Sequence, residues 1–232
     1  MAASQNIQKL DRANLWDQSY SILKDMILRR EFAPNHKLSI PELSTQLGVS
    51  RTPIRDALQR LEVDGLVRTV SKVGTYVNGI NEEFVMNVMD TRMMIEYWVA
   101  DRIPHLPEDV VLEAADRMEA ILEDAARRLR SRSYDSQVLV DDNLRFHLTF
   151  VEMGQNEYNV QLYRNAMNYR NIASHASLIS REMIQTAHEQ HRGIVSALRS
   201  AERSEMKNIL KLHLLDSRER LVKNIRQNGG EI

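Results

Sequence analysis

The sequence contains no cysteine and few residues that interrupt helices, with 8 glycines and 5 prolines among 232 residues. The absence of cysteine excludes disulfides and thiolate metal sites and is compatible with a reducing compartment. No apolar stretch approaches the roughly 20 residues that a transmembrane helix needs, and the first residues lack the apolar core of a signal peptide. We therefore expect a soluble, cytoplasmic protein rich in long helices.

Charge is nearly balanced over the whole chain but not along it. Residues 1–78 contain 11 Lys and Arg against 8 Asp and Glu, whereas residues 79–232 contain 20 against 24. A basic N-terminal part beside an acidic remainder favours contact of the first part alone with a polyanion. An offset this small supports that interpretation only together with a motif.

The first 78 residues combine short helical patterns with turn residues and end in a hairpin pattern. Helical periodicity and the capping residues Ser39 and Ser50 predict three helices, over 15–30, 40–47 and 51–64. Short β-type runs on either side of a turn that contains glycine then predict two strands, over 66–70 and 75–77. The predicted order is helix, helix, tight turn, helix and hairpin.

The segment from Leu47 to Leu58 has the composition of a helix-turn-helix, with Gly48 and Val49 in the turn. In this motif the N-terminal end of the second helix enters the major groove, where arginine bonds guanine. The first turns of that helix carry polar residues opposite its apolar face, and they are Ser50, Arg51, Thr52 and Arg55. An isolated arginine pair is more often merely solvated, but the surrounding motif order favours DNA contact. Lys72 and Gly74 lie at the predicted hairpin tip.

From Asn81 onward the sequence predicts only helices, near 81–102, 107–131, 136–153, 156–180, 181–199 and 202–226. Three histidines, His147, His191 and His213, lie on the apolar stripes of three different helices. Asn143 precedes His147 by one turn on the same face. One such histidine is usually an ordinary core residue, but histidines on facing helices of a bundle can converge on a metal ion.

Residues 15–78 resemble the winged helix-turn-helix of the GntR family of bacterial transcriptional regulators. The resemblance rests on segments that match the family signature, at 47–58, 61–67 and 74–77. It implies a homodimer that binds palindromic operator DNA through Ser50, Arg51, Thr52, Arg55, Lys72 and Gly74. Two positions depart from the family pattern: Asn35 replaces the usual glycine after proline, and Pro41 replaces an arginine that some members carry.

Residues 79–232 resemble the FCD ligand-sensing domain of FadR-like members of that family. The matching pieces lie at 92–96, 143–147, 154–156, 189–194 and 211–214. The resemblance implies a mainly α protein, with the winged helix-turn-helix followed by an all-α antiparallel bundle. It also implies a divalent metal bound by Asn143, His147, His191 and His213, and a small carboxylate effector. His188 competes with His191 for this role, but the flanking residues favour His191.

The metal and its use leave alternatives open. Zinc is expected first, with nickel, manganese and iron also compatible with imidazole and amide ligands. Arg92 is our candidate for binding the effector carboxylate, and a structural ion pair with Glu96 is the alternative; Tyr163, Tyr169 and Arg170 are further candidates for lining the cavity. We expect a regulator that is not an enzyme, because no Glu or Asp is clearly placed beside the ligands as a general base. The alternative to an effector-binding metal is a purely structural metal that only holds the helical bundle together.

Overall fold

The computed structural model describes residues 12–130, 136–173, 180–200 and 205–230, with side chains described for residues 15–130, 138–167, 180–200 and 205–230. The chain divides into two compact units, Met1–Gly79 and Ile80–Ile232. The first combines helices with a small sheet and the second is helical, which confirms the predicted fold class.

The N-terminal unit contains three helices and a three-stranded antiparallel sheet. Its elements are α1 (Arg12–Leu28), β1 (Lys37–Leu38), α2 (Ile40–Leu47), α3 (Arg51–Val63), β2 (Val67–Val70) and β3 (Gly74–Val77). The strand order is β1-β3-β2, so the wing hairpin β2–β3 has a third strand on its free side. Strand β1 was not predicted, because two residues are too few to show a strand pattern and only pairing with β3 defines it.

The turns of this unit depend on residues that adopt positive φ. Gly48 ends α2 at φ 65°, and its backbone N–H lies against the last carbonyls of that helix. Asn35 adopts φ 62° at the position where the family usually has glycine. Asparagine tolerates this conformation better than most residues, so the departure from the family pattern preserves the turn.

The core of the N-terminal unit holds α3 against α1 and the sheet. Leu23, Ile54, Leu61 and Leu66 are at most 1% exposed. Tyr20 donates a hydrogen bond to Asp64 at the C-terminal end of α3, and Lys24 bonds the same carboxylate at 3.3 Å. Helix α3 is therefore held in place by apolar packing along one face and by polar contacts at its C-terminal end.

The second unit is a bundle of six helices among the described residues. They are α4 (Glu82–Arg102), α5 (Glu108–Arg130), α6 (Ser136–Met153), α7 (Glu157–Ala173), α8 (Arg181–Arg199) and α9 (Met206–Gln227). Helix α4 packs against α7 and α9, α5 packs against α6 and α8, and α8 packs against α9. Some residues of the predicted helices lie outside the described residues, and these are 131, 174–179 and 202–204. No helix in the described ranges is long and apolar enough to cross a membrane.

Gly154 and Gln155 interrupt the helical conformation between α6 and α7, as predicted. A Cβ atom on Gly154 would lie 3.0 Å from side-chain atoms of both Trp98 and Val99, so glycine permits the close approach to α4. Gln155 follows with φ 55°. The tight break fixes where α6 ends and so helps to place His147, which lies on that helix.

Candidate DNA-binding surface and metal centre

Helix α3 separates its apolar and polar residues onto opposite faces. Ile54, Leu58 and Leu61 are buried, whereas Arg51, Thr52 and Arg55 are exposed. Ser50 occupies the N-cap position but makes no capping hydrogen bond with its side chain, so its hydroxyl is not committed to the helix end. The N-terminal turns of α3 therefore present hydroxyl and guanidinium donors suited to phosphates and base edges.

The wing places two lysines close to its tip, and one of them lies on the strand that sequence patterns missed. Lys72 is exposed in the β2–β3 turn with φ 61°. Gly74 has φ 150°, and a Cβ atom there would lie 2.6 Å from Lys37 Cε. Lys37 on β1 thus packs over the glycine of the wing. The tip carries two cations, and the absence of a side chain at Gly74 lets Lys37 approach.

Three histidines converge in the interior of the second unit. His147, His191 and His213 come from α6, α8 and α9 and are 0%, 4% and 2% exposed. Nε2 of His147 lies 3.1 Å from Nε2 of His191 and 3.2 Å from Nε2 of His213. The structure therefore brings together all three histidines that the apolar-stripe pattern selected, and they form a group able to hold a metal ion.

The two separations from His147 Nε2 are compatible with a common cation. Ligands about 2.0–2.1 Å from zinc lie roughly 2.9 Å apart in cis positions of an octahedron and roughly 3.4 Å apart in a tetrahedron. The observed 3.1 and 3.2 Å fall between these values. Burial lowers the pKa of His213 well below 6.5, and the neighbouring imidazoles of His191 and His147 lower it further. The neutral form of histidine is the one that ligates metals, because it has a nitrogen lone pair to offer.

Arg92 and Glu96 form a buried ion pair beside this cluster. Both side chains are 0% exposed, and Arg92 Nε lies 2.7 Å from Glu96 Oε1. Glu96 Oε1 also accepts a hydrogen bond from Tyr163 at 2.6 Å and lies 3.4 Å from His147 Nδ1. The expectation that no acidic residue is clearly placed beside the proposed ligands was therefore wrong. Sequence spacing within α4 could not reveal that Glu96 faces a histidine 51 positions away on α6.

Arg92 also reaches the position that a metal would need. Its Nη2 lies 2.7 Å from His147 Nε2, the same nitrogen that faces the other two imidazoles. Arg92 Nη1 and Glu96 Oε2 are buried without hydrogen-bond partners among the described residues. The ion pair that we weighed as an alternative thus exists, but the guanidinium keeps an unused donor close to the cluster.

Asn143 lies at the edge of a cavity that also borders His191. The cavity measures about 90 Å³, and its lining is mostly apolar, with polar positions that include His188, Ser217 and Arg220. Asn143 Nδ2 is buried without a hydrogen-bond partner in the described part of the chain. The preceding residue, Asp142, pairs with Arg128 and Arg145, so this carboxylate is held away from a ligand role.

These residues fit a divalent cation. Three imidazole nitrogens converge, and Asn143 lies one helical turn before His147 on α6. Binding would require Arg92 to give up its bond to His147 Nε2 while it keeps Glu96. The side chains of Tyr169 and Arg170 lie outside the described residues, and Tyr163 is fully buried against Glu96.

Family models match segments in both units of the chain. Residues 15–77 match the gntR family of bacterial regulatory proteins, and residues 87–216 match the FCD domain. The chain belongs to the GntR family and carries an FCD domain. This GntR regulator is thus a DNA-binding transcription factor, and the predicted family resemblance is confirmed.

Relatives of this GntR regulator align over nearly the whole chain. The transcriptional repressor GlaR of Escherichia coli K12 is 25% identical over 84% of this chain and 90% of its own length. The repressor RspR of the same organism is 27% identical over 92% of this chain and 91% of its own length. These relatives are regulators, which agrees with the expectation that the protein is not an enzyme.

Solved structures share the fold of this GntR regulator. A GntR transcriptional regulator from Rhodococcus sp. RHA1 superposes with a TM-score of 0.69 at 20% identity, over 90% of this chain and 98% of that one. McbR/YncC of E. coli gives a TM-score of 0.70 at 17% identity, over 90% and 97% of the two chains. At these identities the similarity concerns the fold alone.

Proposed function

We propose that this GntR regulator is a homodimeric repressor whose affinity for a palindromic operator is controlled by a small carboxylate bound beside a divalent metal. The observation that carries the proposal is the buried convergence of His147, His191 and His213 next to a cavity. A structural core needs no cluster of imidazole lone pairs at one point, because buried polar groups are normally satisfied by hydrogen bonds.

At the operator, the exposed residues at the start of α3 enter the major groove. Arg51 and Arg55 bond base edges or phosphates, and Ser50 and Thr52 bond phosphates. Lys72 at the wing tip contacts the adjoining backbone, and the small size of Gly74 allows the approach. The names of GlaR and RspR, both repressors, favour repression as the sign of regulation.

In the helical unit, Asn143 and the three histidines hold the cation, with zinc as the first expectation and nickel, manganese or iron as alternatives. When bound, the metal supplies open coordination positions for a carboxylate. Arg92 would provide a buried positive charge beside the histidine cluster for that carboxylate, and its Nη1 has no hydrogen-bond partner among the described residues. The effector shifts operator affinity only if it binds the two states of the dimer with different affinity.

The test is a titration of operator affinity with carboxylates in the presence and absence of metal. An operator is first selected from random duplexes with the purified protein. We expect a subset of small carboxylates to weaken DNA binding by the metal-loaded protein and to have no effect after chelation. A protein that selects no DNA sequence would contradict the regulator function.

A purely structural metal is the second candidate, and the near-complete burial of the three histidines favours it. In that case metal removal would lower the melting temperature and no carboxylate would change operator affinity. The same titration therefore separates the two functions.

A further inference from the structure

We infer that Gln190 and Asp216 are positioning residues that fix the tautomer of His213 and thereby set metal affinity. The inference rests on the metal centre proposed above but concerns residues outside its ligand set.

His213 Nδ1 lies 2.9 Å from Gln190 Oε1. An amide oxygen only accepts hydrogen bonds, so Nδ1 must carry the proton. A neutral imidazole that carries its proton on Nδ1 has its lone pair on Nε2, and Nε2 of His213 lies 3.2 Å from His147 Nε2. The contact therefore selects the tautomer that presents Nε2 to a cation.

The orientation of the Gln190 amide is itself fixed. Its Nε2 donates to Asp216 Oδ2 at 2.6 Å. If the amide were flipped, its oxygen would face the carboxylate and its NH₂ would face His213 Nδ1, and the first of these contacts would be repulsive. Asp216 in turn pairs with Arg220, four residues later on α9. Hydrogen bonds therefore form a relay that ends at the histidine cluster. It runs from Arg220 through Asp216 and Gln190 to His213.

Such a relay acts on the ligand and not on the cation. Hydrogen bonds to the non-ligating nitrogen of a metal-binding histidine orient the ring and raise its basicity, and loss of the partner typically weakens metal binding by ~10- to 100-fold. Arg220, the outer end of the relay, also borders the cavity beside the cluster.

The first experiment uses the metal-free full-length protein and long-range ¹H–¹⁵N spectra of its histidines. His213 is expected to carry its proton on Nδ1 in the wild type, and Gln190→Ala is expected to shift it toward a mixture of tautomers. A wild-type His213 protonated on Nε2 would overturn the inference whether or not the protein binds a metal.

The second experiment measures zinc affinity by competition with a chelating dye. We expect Gln190→Ala to weaken binding by ~10- to 100-fold, Asp216→Ala to weaken it less and Arg220→Gln least, because each successive position lies one bond further from the ligand. Gln185→Ala, at an exposed glutamine of the same helix, is the matched control and is expected to bind zinc as the wild type does.

Unchanged zinc affinity in Gln190→Ala would overturn the inference, and so would equal losses in the Gln190 variant and its Gln185 control. If Gln190→Ala fails to fold by circular dichroism, the Asp216 and Arg220 variants decide through their graded order. A wild type that shows the expected tautomer but binds no zinc would refute the metal centre and the effect of the relay on metal affinity, and it would support only the assignment of the tautomer.

Discussion

The two units of this regulator place their functional side chains in opposite environments. The start of α3 exposes Arg51, Thr52 and Arg55 to solvent and buries only the opposite face of the helix. The bundle instead encloses its histidines and the Arg92–Glu96 pair at 0–4% exposure. Exposed polar groups remain hydrated until a ligand arrives, whereas buried ones must be satisfied within the fold. Substitutions of these exposed α3 side chains should therefore affect function alone, whereas substitutions of the buried bundle residues should affect function together with stability.

The largest effect is expected from His147→Ala, which removes the imidazole shared by both short Nε2 contacts. Metal content of the purified protein, measured by mass spectrometry, should fall from one ion per chain to none, while DNA binding by the N-terminal unit is retained. His105→Ala, at an exposed histidine, is the control. Full metal occupancy in His147→Ala would refute the assignment of this ligand.

The next largest effect concerns the buried ion pair. Arg92→Leu leaves Glu96 buried without its partner, and the free energy of unfolding should fall by about 3–5 kcal/mol. The double variant Arg92→Leu/Glu96→Leu should recover much of the loss. Urea unfolding measures both, with Arg226→Ala of the exposed Arg226–Glu82 pair as a contrast that should change stability far less. Equal losses of unfolding free energy at the buried pair and at the exposed pair would contradict the expected difference between the two environments.

Arg51→Ala tests the exposed unit. Loss of one bidentate base contact should weaken operator binding by about 1–3 kcal/mol, or roughly 5- to 150-fold, without a change in melting temperature. Arg60→Ala, at the C-terminal end of the same helix, is the control for a general loss of charge. Fluorescence anisotropy with the selected operator gives both affinities, and an Arg51 variant that binds like the wild type would exclude this position from the interface.

The smallest effect is expected from Tyr20→Phe, which removes the hydrogen bond to Asp64. The cost should be about 0.5–1.5 kcal/mol. Burial, and then the bond to Asp64, raises the pKa of Tyr20 above 10.0. A raised folded-state pKa means that this stabilisation is present below pH 10 and is lost as the pH rises through the folded value. The difference in unfolding free energy between wild type and variant, measured with urea, should therefore shrink at alkaline pH. A difference that does not change with pH would contradict this role of Tyr20.

Local patterns predicted the DNA-binding unit better than they predicted the surroundings of the histidine cluster. The α3 residues could be assigned because helix period alone separates Ile54 and Leu58 from Arg51 and Arg55. The three histidines could be selected for the same reason, since each lies on an apolar stripe. Strand β1, the Lys37 contact over Gly74 and the position of Glu96 beside His147 could not be found, because each depends on a partner distant in sequence.

The amino-acid sequence by itself determined the order of helices, the winged helix-turn-helix, the family and the inward faces that carry His147, His191 and His213. These follow from local rules of period, capping and turn conformation, which act over a few residues. Only the tertiary structure decided that Nε2 of His191 and Nε2 of His213 both lie within 3.2 Å of His147 Nε2. It also decided that Arg92 donates to His147 Nε2 and that Gln190 and Asp216 lie behind His213. Such contacts depend on the rotation and depth of packed helices, which interdigitation of side chains across the whole bundle sets.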